Sequence, residues 1–468
     1  MKLSPSSTPY LRMPSGLLYK KIKHAYLVLH PSRPRWAVIN DTGREIVELL
    51  DGNHSVQDIA KALSAQFDVG QDVLEKDVAD FIVSLQKTGL TEEIHRDITA
   101  VSQDGRVFEI AFLHITRRCN LRCRHCCVPG DGSMSSDGLT DGEILHFVEQ
   151  FYAEGGSTLF ITGGEPLLRK ELVQTLIQAK RDAAIYLLTN GTLIDDSFAA
   201  GLREYNVFVQ VSIDGPRASI HDAIRGRGAF EAAMKGVEAL KRNGMADRTN
   251  FCTTVTGRNV NELKNILQLT RDTGISYIRF IPLRSEGRAC ANWSDIGCDM
   301  SRAEYEHFLE YVFNEAPEDF GEMRISGGVS GFVLDPGKFD SRTDQWCSIG
   351  KMLTVDADGS VYPCVMFMDR AYRMGSIQTE SIAVLKESTA LLRTVDEIVR
   401  RKEKIAQCRS CLWKNFCQGG CMGLALDKYG TVWEADEFCG FRKRLYDQAA
   451  AKLVDGKKPS CVACGESE

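Results

Sequence analysis

Between residues 107 and 315 the chain switches six times from a short apolar run to a longer segment with apolar residues at helical spacing. Few folds accept that alternation. The runs at 107–115, 158–161, 185–188, 207–213, 250–255 and 277–281 are nearly continuous in apolar residues. That is the pattern of strands buried on both faces, as in a parallel sheet covered by helices. Helices are predicted at 141–154, 171–181, 195–204, 230–243, 260–273 and 302–314, with Thr140-x2-Glu143 and Ser301-x2-Glu304 as capping boxes. Six units are too few for a closed eight-stranded barrel and enough for an open one.

In such sheets the chemistry lies at the C-terminal ends of the strands. Cys119-x3-Cys123-x2-Cys126 follows the first strand, Thr162-Gly163-Gly164-Glu165-Pro166 the second and Thr189-Asn190-Gly191 the third, while Ser212-Ile213-Asp214-Gly215 closes the fourth. All four are predicted to meet on one rim. Thiolates this closely spaced hold iron–sulfur clusters or zinc. Three cysteines leave one metal corner free for a substrate or cofactor. Zinc, with Cys127 as a fourth thiolate, is the alternative, but it leaves the Gly-Gly-Glu run without a role.

A second set, Cys347, Cys364, Cys408, Cys411, Cys417, Cys421 and Cys439, lies in a stretch with little regular periodicity, the mark of a segment organised by metal rather than by a large core. Six of the 16 cysteines remain: Cys127, Cys252, Cys290, Cys298, Cys461 and Cys464. Most read as small buried hydrophobes. No apolar export signal opens the sequence, so the thiols are expected to be reduced, in the cytoplasm, rather than paired. No run approaches the roughly 18 apolar residues of a membrane span. A net charge of −6 argues against general nucleic-acid binding.

Residues 1–95 read as a separate unit: strands at 25–30 and 35–39, then three short helices. The first helix is predicted to open at Thr42-x2-Glu45. The second carries Ile59, Leu63 and Phe67, and the third carries Leu74, Val78, Phe81, Ile82 and Leu85 before Gly89. The outline is winged-helix-like. Residues 1–40 hold seven Lys/Arg and no acid, whereas residues 41–100 hold thirteen acids against five bases. An acidic third helix does not suit DNA. The basic strands suit either a guarded sheet edge or an acidic peptide added as a further strand.

The three-cysteine loop, Gly163-Gly164-Glu165-Pro166 and Ser212-x-Asp214-Gly215, in that order at successive strand ends, resemble the radical S-adenosylmethionine superfamily through residues 107–315. The resemblance implies that Cys119, Cys123 and Cys126 hold three irons of a [4Fe–4S] cluster whose fourth iron takes S-adenosylmethionine. Reductive cleavage there releases methionine and a 5′-deoxyadenosyl radical. By the same resemblance Gly163 and Gly164 let backbone approach the cofactor, Glu165 meets its ammonium, His125 lies near the adenine, and Ser212 and Arg225 contact ribose and carboxylate. The seven-cysteine set is similar to the SPASM extension of peptide-modifying relatives. It implies two auxiliary iron–sulfur clusters, one on Cys347, Cys364 and Cys421 and one on Cys408, Cys411, Cys417 and Cys439, with zinc ribbons as the alternative. Ser341 stands where some relatives have a further cysteine, and Val365 where sulfatase-maturing relatives have an acidic base, which argues against formylglycine formation. Residues 15–90, with Trp36-Ala37-Val38-Ile39-Asn40 and Leu49-Leu50-Asp51-Gly52, look like a PqqD-type peptide-recognition domain.

The expectation is therefore an α/β enzyme with a partial (β/α)6 TIM barrel, an N-terminal winged-helix-like domain and a C-terminal loop-rich iron–sulfur domain. The segments are 1–95, 105–315, 316–445 and a tail, 446–468. It is expected to modify a ribosomally synthesised precursor peptide, gripping its leader with help from Lys20, Lys21 and Lys23, and to close a thioether or carbon–carbon cross-link. An electron donor such as flavodoxin or ferredoxin is implied as a partner. No general base is identifiable from the sequence. The rival readings are modification of a small molecule such as a tetrapyrrole, and a metal-bound winged-helix regulator.

Overall fold

The computed structural model describes residues 11–456 apart from 65, 67–68, 92–106, 128–137, 181, 298–301, 329–331, 333–337 and 340–343. Phe67, Cys298, Ser301, Ser341, Cys461 and Cys464 therefore lie outside the described residues.

The N-terminal unit is a three-stranded antiparallel sheet, β1 (Leu18–Ile22), β2 (Ala25–Leu29) and β3 (Trp36–Ile39), in that order, followed by α1 (Asp41–Leu49), α2 (Val56–Ser64) and α3 (Gln71–Thr88). Its first strand, carrying Lys20 and Lys21, was not visible as one in the sequence: its alternating polar residues are partly exposed while β2 is wholly buried. The α1 cap is Asn40, whose side chain accepts from the Gly43 N–H at 2.8 Å, rather than the Thr42 box. Val28, Ile39, Val47, Ile59, Val78 and Ile82 form a core of its own.

The second sheet contains the six expected strands side by side and parallel: β4 (Ile110–His114), β5 (Thr158–Thr162), β6 (Ala184–Thr189), β7 (Val207–Ser212), β8 (Thr249–Val255) and β9 (Tyr277–Pro282). It extends further than the sequence suggested. β10 (Arg324–Ser326) joins β9 in parallel, β11 (Met352–Val355) joins β4 in parallel, and β12 (Ser360–Tyr362) and β13 (Gly375–Ser376) continue antiparallel from β11. The ten-stranded sheet is curved but open, a partial barrel.

Its outer face carries Leu113, Ile161, Leu187, Val209 and Val211, all fully buried. They pack under α4 (Asp141–Ala153), α5 (Lys170–Ala179), α6 (Asp196–Leu202), α8 (Ala229–Arg242), α9 (Leu263–Asp272) and α10 (Arg302–Asn314), while α7 (Ala218–Arg225) brings Arg225 to Asp214. Each such apolar side chain stabilises the fold by about 1.5–3 kcal/mol. The inner face differs. Phe112, Phe160, Tyr186 and Phe208 are register partners on four neighbouring strands and stack with centroids 4.1, 4.6 and 5.0 Å apart. They remain partly exposed to the lumen.

The C-terminal region is less irregular than its sequence implied, with α11 (Thr389–Lys404), α12 (Met422–Tyr429) and α13 (Cys439–Val454). α13 runs across the predicted tail boundary at 445, and Leu445, Tyr446 and Ala449 on it are fully buried. It also receives the N-terminal unit. Lys20 pairs with Asp447 and lies over the Trp413 ring, and Lys23 pairs with Asp455 at 2.7 Å. Lys21 lies 5.3 Å over the Tyr26 ring. The lysines expected to meet a leader peptide are thus engaged within the chain. Arg33 and Arg35 both reach Asp344, and Asn415 donates to the carbonyls of His30 and Pro31. Among the described residues no helix is long and apolar enough to cross a membrane.

Candidate active site and metal centres

The loop after β4 is held against the rim from three sides. The Gly164 N–H donates to the Thr116 carbonyl at 2.7 Å and the Glu165 N–H to the Arg118 carbonyl at 2.8 Å, so the β4–β5 pairing continues past the strand ends. A Cβ on Gly163, whose φ is +140°, would stand 2.3 Å from the Thr116 oxygen, and one on Gly164 2.1 Å from the Arg118 oxygen. The close approach these glycines permit is to the cysteine loop itself. From β6, Asn190 Nδ2 donates to Asn120 Oδ1 at 2.9 Å and lies 3.9 Å from Cys119 Sγ. From the far side the Arg124 N–H donates to the Ile224 carbonyl, and Arg288 reaches the carbonyls of Cys123 and Cys126, all at 2.9 Å.

Glu165 is completely buried. Its carboxylate accepts from Thr189 Oγ1 at 2.7 Å, the Asn190 N–H at 2.8 Å and the Leu167 N–H at 3.0 Å. Burial pushes its carboxyl above the usual range, and these donors oppose the shift. A carboxylate has about four acceptor positions. Three join the ends of β5 and β6, and one remains for a cation.

His125 and Arg225 converge on Asp214, which the sequence placed on the rim without giving it a role. Arg225 Nε donates to Asp214 Oδ2 at 2.5 Å, and His125 Nε2 lies 3.0 Å from the same oxygen. Burial alone would raise the Asp214 carboxyl, but Arg225 and then His125 outweigh it and hold it well below the usual range. Asp214 also accepts from the Thr254 N–H at 2.9 Å, which fixes the group to β8. His125 Nδ1 is buried without a partner among the described residues. Ser212 ends β7 opposite Cys252 and is partly exposed.

Cys119, Cys123 and Cys126 lie within electrostatic reach of one another, and burial pushes Cys123 up to about 11. Farther along, Cys347, Cys364 and Cys421 gather in one group, and Cys408, Cys411, Cys417 and Cys439 in another. Burial raises Cys347, Cys411, Cys421 and Cys439 too, and lifts Cys364 and Cys408 to about 12. Thiols so raised stay protonated unless a metal's charge draws off the proton. Among the described residues no three His, Cys, Asp or Glu side chains close on a single-ion site.

Two arginines that the sequence did not single out lie between the auxiliary groups. Arg401 on α11 is 1% exposed and donates to the carbonyls of Gly420, Glu434 and Val432 at 2.7–2.8 Å. Arg442 on α13 is fully buried, pairs with Asp436 at 2.6 Å and donates through Nε to Cys417 Sγ at 3.2 Å. Gln418, Gly419 and Gly420, all left-handed, wrap the turn that joins Cys417 of one group to Cys421 of the other. Two buried guanidiniums with one buried carboxylate leave an excess positive charge, which burial makes costly unless an anion compensates it. Thiolate-ligated clusters on both sides would be that anion, so the residues present fit the groups the sequence implies.

Known proteins align with this arrangement. Sequence-family models match the radical SAM superfamily at residues 113–270, coenzyme PQQ synthesis protein D at 25–90 and the SPASM iron–sulfur cluster-binding domain at 347–412. The AdoMet-dependent heme synthase of Methanosarcina barkeri is 28% identical over 346 residues, covering 70% of this chain and 95% of that one. The mycofactocin maturase MftC of Mycolicibacterium smegmatis is 28% identical over 327 residues, covering 67% and 79%. Streptococcus suis SuiB, solved bound to the precursor peptide SuiA, shares the fold with a TM-score of 0.57 at 12% identity, covering 92% of this chain and 99% of that one.

Proposed function

Because the chain is a radical SAM enzyme with a PqqD-like N-terminal domain and a SPASM segment, we propose that it modifies a ribosomally synthesised precursor peptide. The observation that carries this reading is the groove beside β3. β3 is an edge of its sheet, and β1, the opposite edge, carries Lys20, which pairs with Asp447 of α13. Between β3 and α3 lies a cavity of about 250 Å³ lined by Trp36, Val38, Phe81, Ser84, Leu85 and Thr88. A leader peptide laid along β3 would gain main-chain hydrogen bonds from the strand and side-chain contacts from the groove. Binding there raises the local concentration of the segment to be modified near the barrel.

At the rim, Cys119, Cys123 and Cys126 would hold the cluster that binds S-adenosylmethionine. When bound, that pair supplies a carbon radical able to remove a hydrogen atom from the peptide. The chain's own residues do the rest. Glu165 offers its remaining acceptor position to the cofactor ammonium. Asp214 fixes the orientations of Arg225 and His125, and Gly163 and Gly164 seat the loop. Cys347, Cys364 and Cys421, and Cys408, Cys411, Cys417 and Cys439, would hold the auxiliary clusters, with Arg401 and Arg442 balancing their charge. The bond formed on the peptide, thioether or carbon–carbon, follows from where the radical lands.

The likeness to heme synthases favours a second reading, a tetrapyrrole substrate, which leaves the β3 groove without a role. Filling the groove separates the two. Ser84 is exposed on α3, so Ser84→Trp should leave the fold intact. It should weaken binding of a leader-bearing peptide that the enzyme modifies by tenfold or more, the order of one lost anchor, and slow its modification to match. Uncoupled cofactor cleavage should be unchanged. Peptide modification unaffected by the filled groove would overturn the reading.

A further inference from the structure

Arg279 lies at the centre of β9 on a register row that runs Ser212, Cys252, Arg279 and Ser326 across β7, β8, β9 and β10. Its neighbours in sequence, Ile278 and Phe280, are fully buried in the outer layer, where Phe280 meets Phe308 of α10 edge-on. Alternation along the strand therefore turns Arg279 into the lumen, on the row of a residue expected at the cofactor. There it is exposed, with no hydrogen bond or ion pair among the described residues. Its charge is felt by the Cys252 thiol and the Tyr277 hydroxyl. Arg324 lies 5.0 Å over the Tyr277 ring and adds a second cation on the same wall.

Two cations on one wall of a partly hollow lumen are complementary to an anion. We propose that Arg279, supported by Arg324, forms a substrate subsite for a peptide carboxylate. A planar guanidinium suits this task because it binds a carboxylate through two parallel hydrogen bonds. The carboxylate comes from the peptide C-terminus or from an acidic side chain, and both present the same group to Arg279. The inference rests on the peptide reading above. It places Arg279 on the β8–β10 wall beside Cys252, a thiol that also feels the Asp214–Arg225 pair.

The test uses the full-length, cluster-loaded protein with S-adenosylmethionine and three probes: N-acetyl-Ala-Ala-Tyr with a free C-terminus, the same tripeptide as its amide, and N-acetyl-Ala-Glu-Tyr-amide. Calorimetry should find one carboxylate probe bound at least about tenfold more tightly than the uncharged amide, the scale of one charge-assisted hydrogen bond. The tighter of the two identifies the source. In Arg279→Gln the preference should fall to within about twofold and in Arg279→Lys it should survive in part, while affinity for S-adenosylmethionine stays unchanged in both. Equal binding of all three probes, a preference that persists in Arg279→Gln, or a parallel loss of cofactor affinity each overturns the subsite, as does binding of none of the three. The peptide reading itself stands or falls on the Ser84→Trp experiment, whose groove is in a different domain.

Discussion

The cysteine loop of the barrel and the auxiliary region both gather thiols, but they reach that arrangement in opposite ways. The barrel loop is seated mainly through its backbone: glycines against carbonyls, main-chain bonds to Thr116, Arg118 and Ile224, and Arg288 donating to the Cys123 carbonyl. Beneath it lies a sheet with its own apolar layer. The auxiliary region closes around charge. Arg401 and Arg442 occupy its interior with Asp436 as the one carboxylate paired there, among the described residues. One site is a scaffold that receives a cluster. The other is a shell whose internal electrostatics balance only when clusters are present.

The largest effect should therefore come from unloading the auxiliary side. Cys417→Ala with Cys421→Ala should remove about eight of roughly twelve irons and destabilise the protein by about 3–5 kcal/mol, the cost of a buried charge left without its partner. The triple Cys119→Ala, Cys123→Ala, Cys126→Ala should remove about four irons and all cofactor cleavage with little change in melting temperature. Iron analysis and calorimetry on anaerobic samples measure both, and equal destabilisation would erase the distinction.

Gly164→Ala sharpens it from the barrel side. The added methyl meets the Arg118 oxygen, so the loop must shift at about 1–3 kcal/mol. Cofactor titration should show weakened binding while the auxiliary irons remain. Retention of normal cofactor affinity would mean that the loop position is not set by this contact.

A smaller effect tests how the N-terminal unit is held. Burial, then Arg33, lowers His30 to about 4, and its Nδ1 accepts from the Ser32 and Arg33 N–H groups. The unfolded imidazole titrates near 6.5. Between the two values the unfolded state takes up a proton that the folded state refuses, so stability should fall as pH drops from about 6.5 to 4 and level off below. Hydrogen exchange over residues 25–39 and 402–415 should quicken in that window, and His30→Asn should flatten the dependence. An unchanged profile in His30→Asn assigns the window to another group.

Much of this was legible in the sequence because strand ends and cysteine spacings are local. The six parallel strands lie close to the predicted bounds, and the four rim motifs do share one rim. Less was legible where partners are distant in sequence. β11 is a four-residue strand whose neighbour is β4, some 240 residues earlier, and so short a run carries no periodicity to read. Arg401 sits in a helix rich in Lys, Arg, Asp and Glu, where one buried cation looks like its solvated neighbours. The sequence signal that could have exposed it was Gly419-Gly420, a pair with no side chains to fill the space the turn encloses. Lys20 and Lys23 misled for the same reason: a basic strand suggests an acidic partner, and the partner is α13 of the same chain.

The place of β11 has a practical consequence for anyone dividing this protein into parts. By covalent order the barrel ends near residue 315, yet the strand that covers the flank of β4 is supplied from residue 352 onward. Cut at the apparent boundary, β4 would expose a row of unsatisfied amides and carbonyls beside the cysteine loop, and such an edge recruits other chains. Recombinant fragments ending there should precipitate, and the N-terminal unit does not simply detach either, because Leu27 and Leu29 of β2 are buried in the main core.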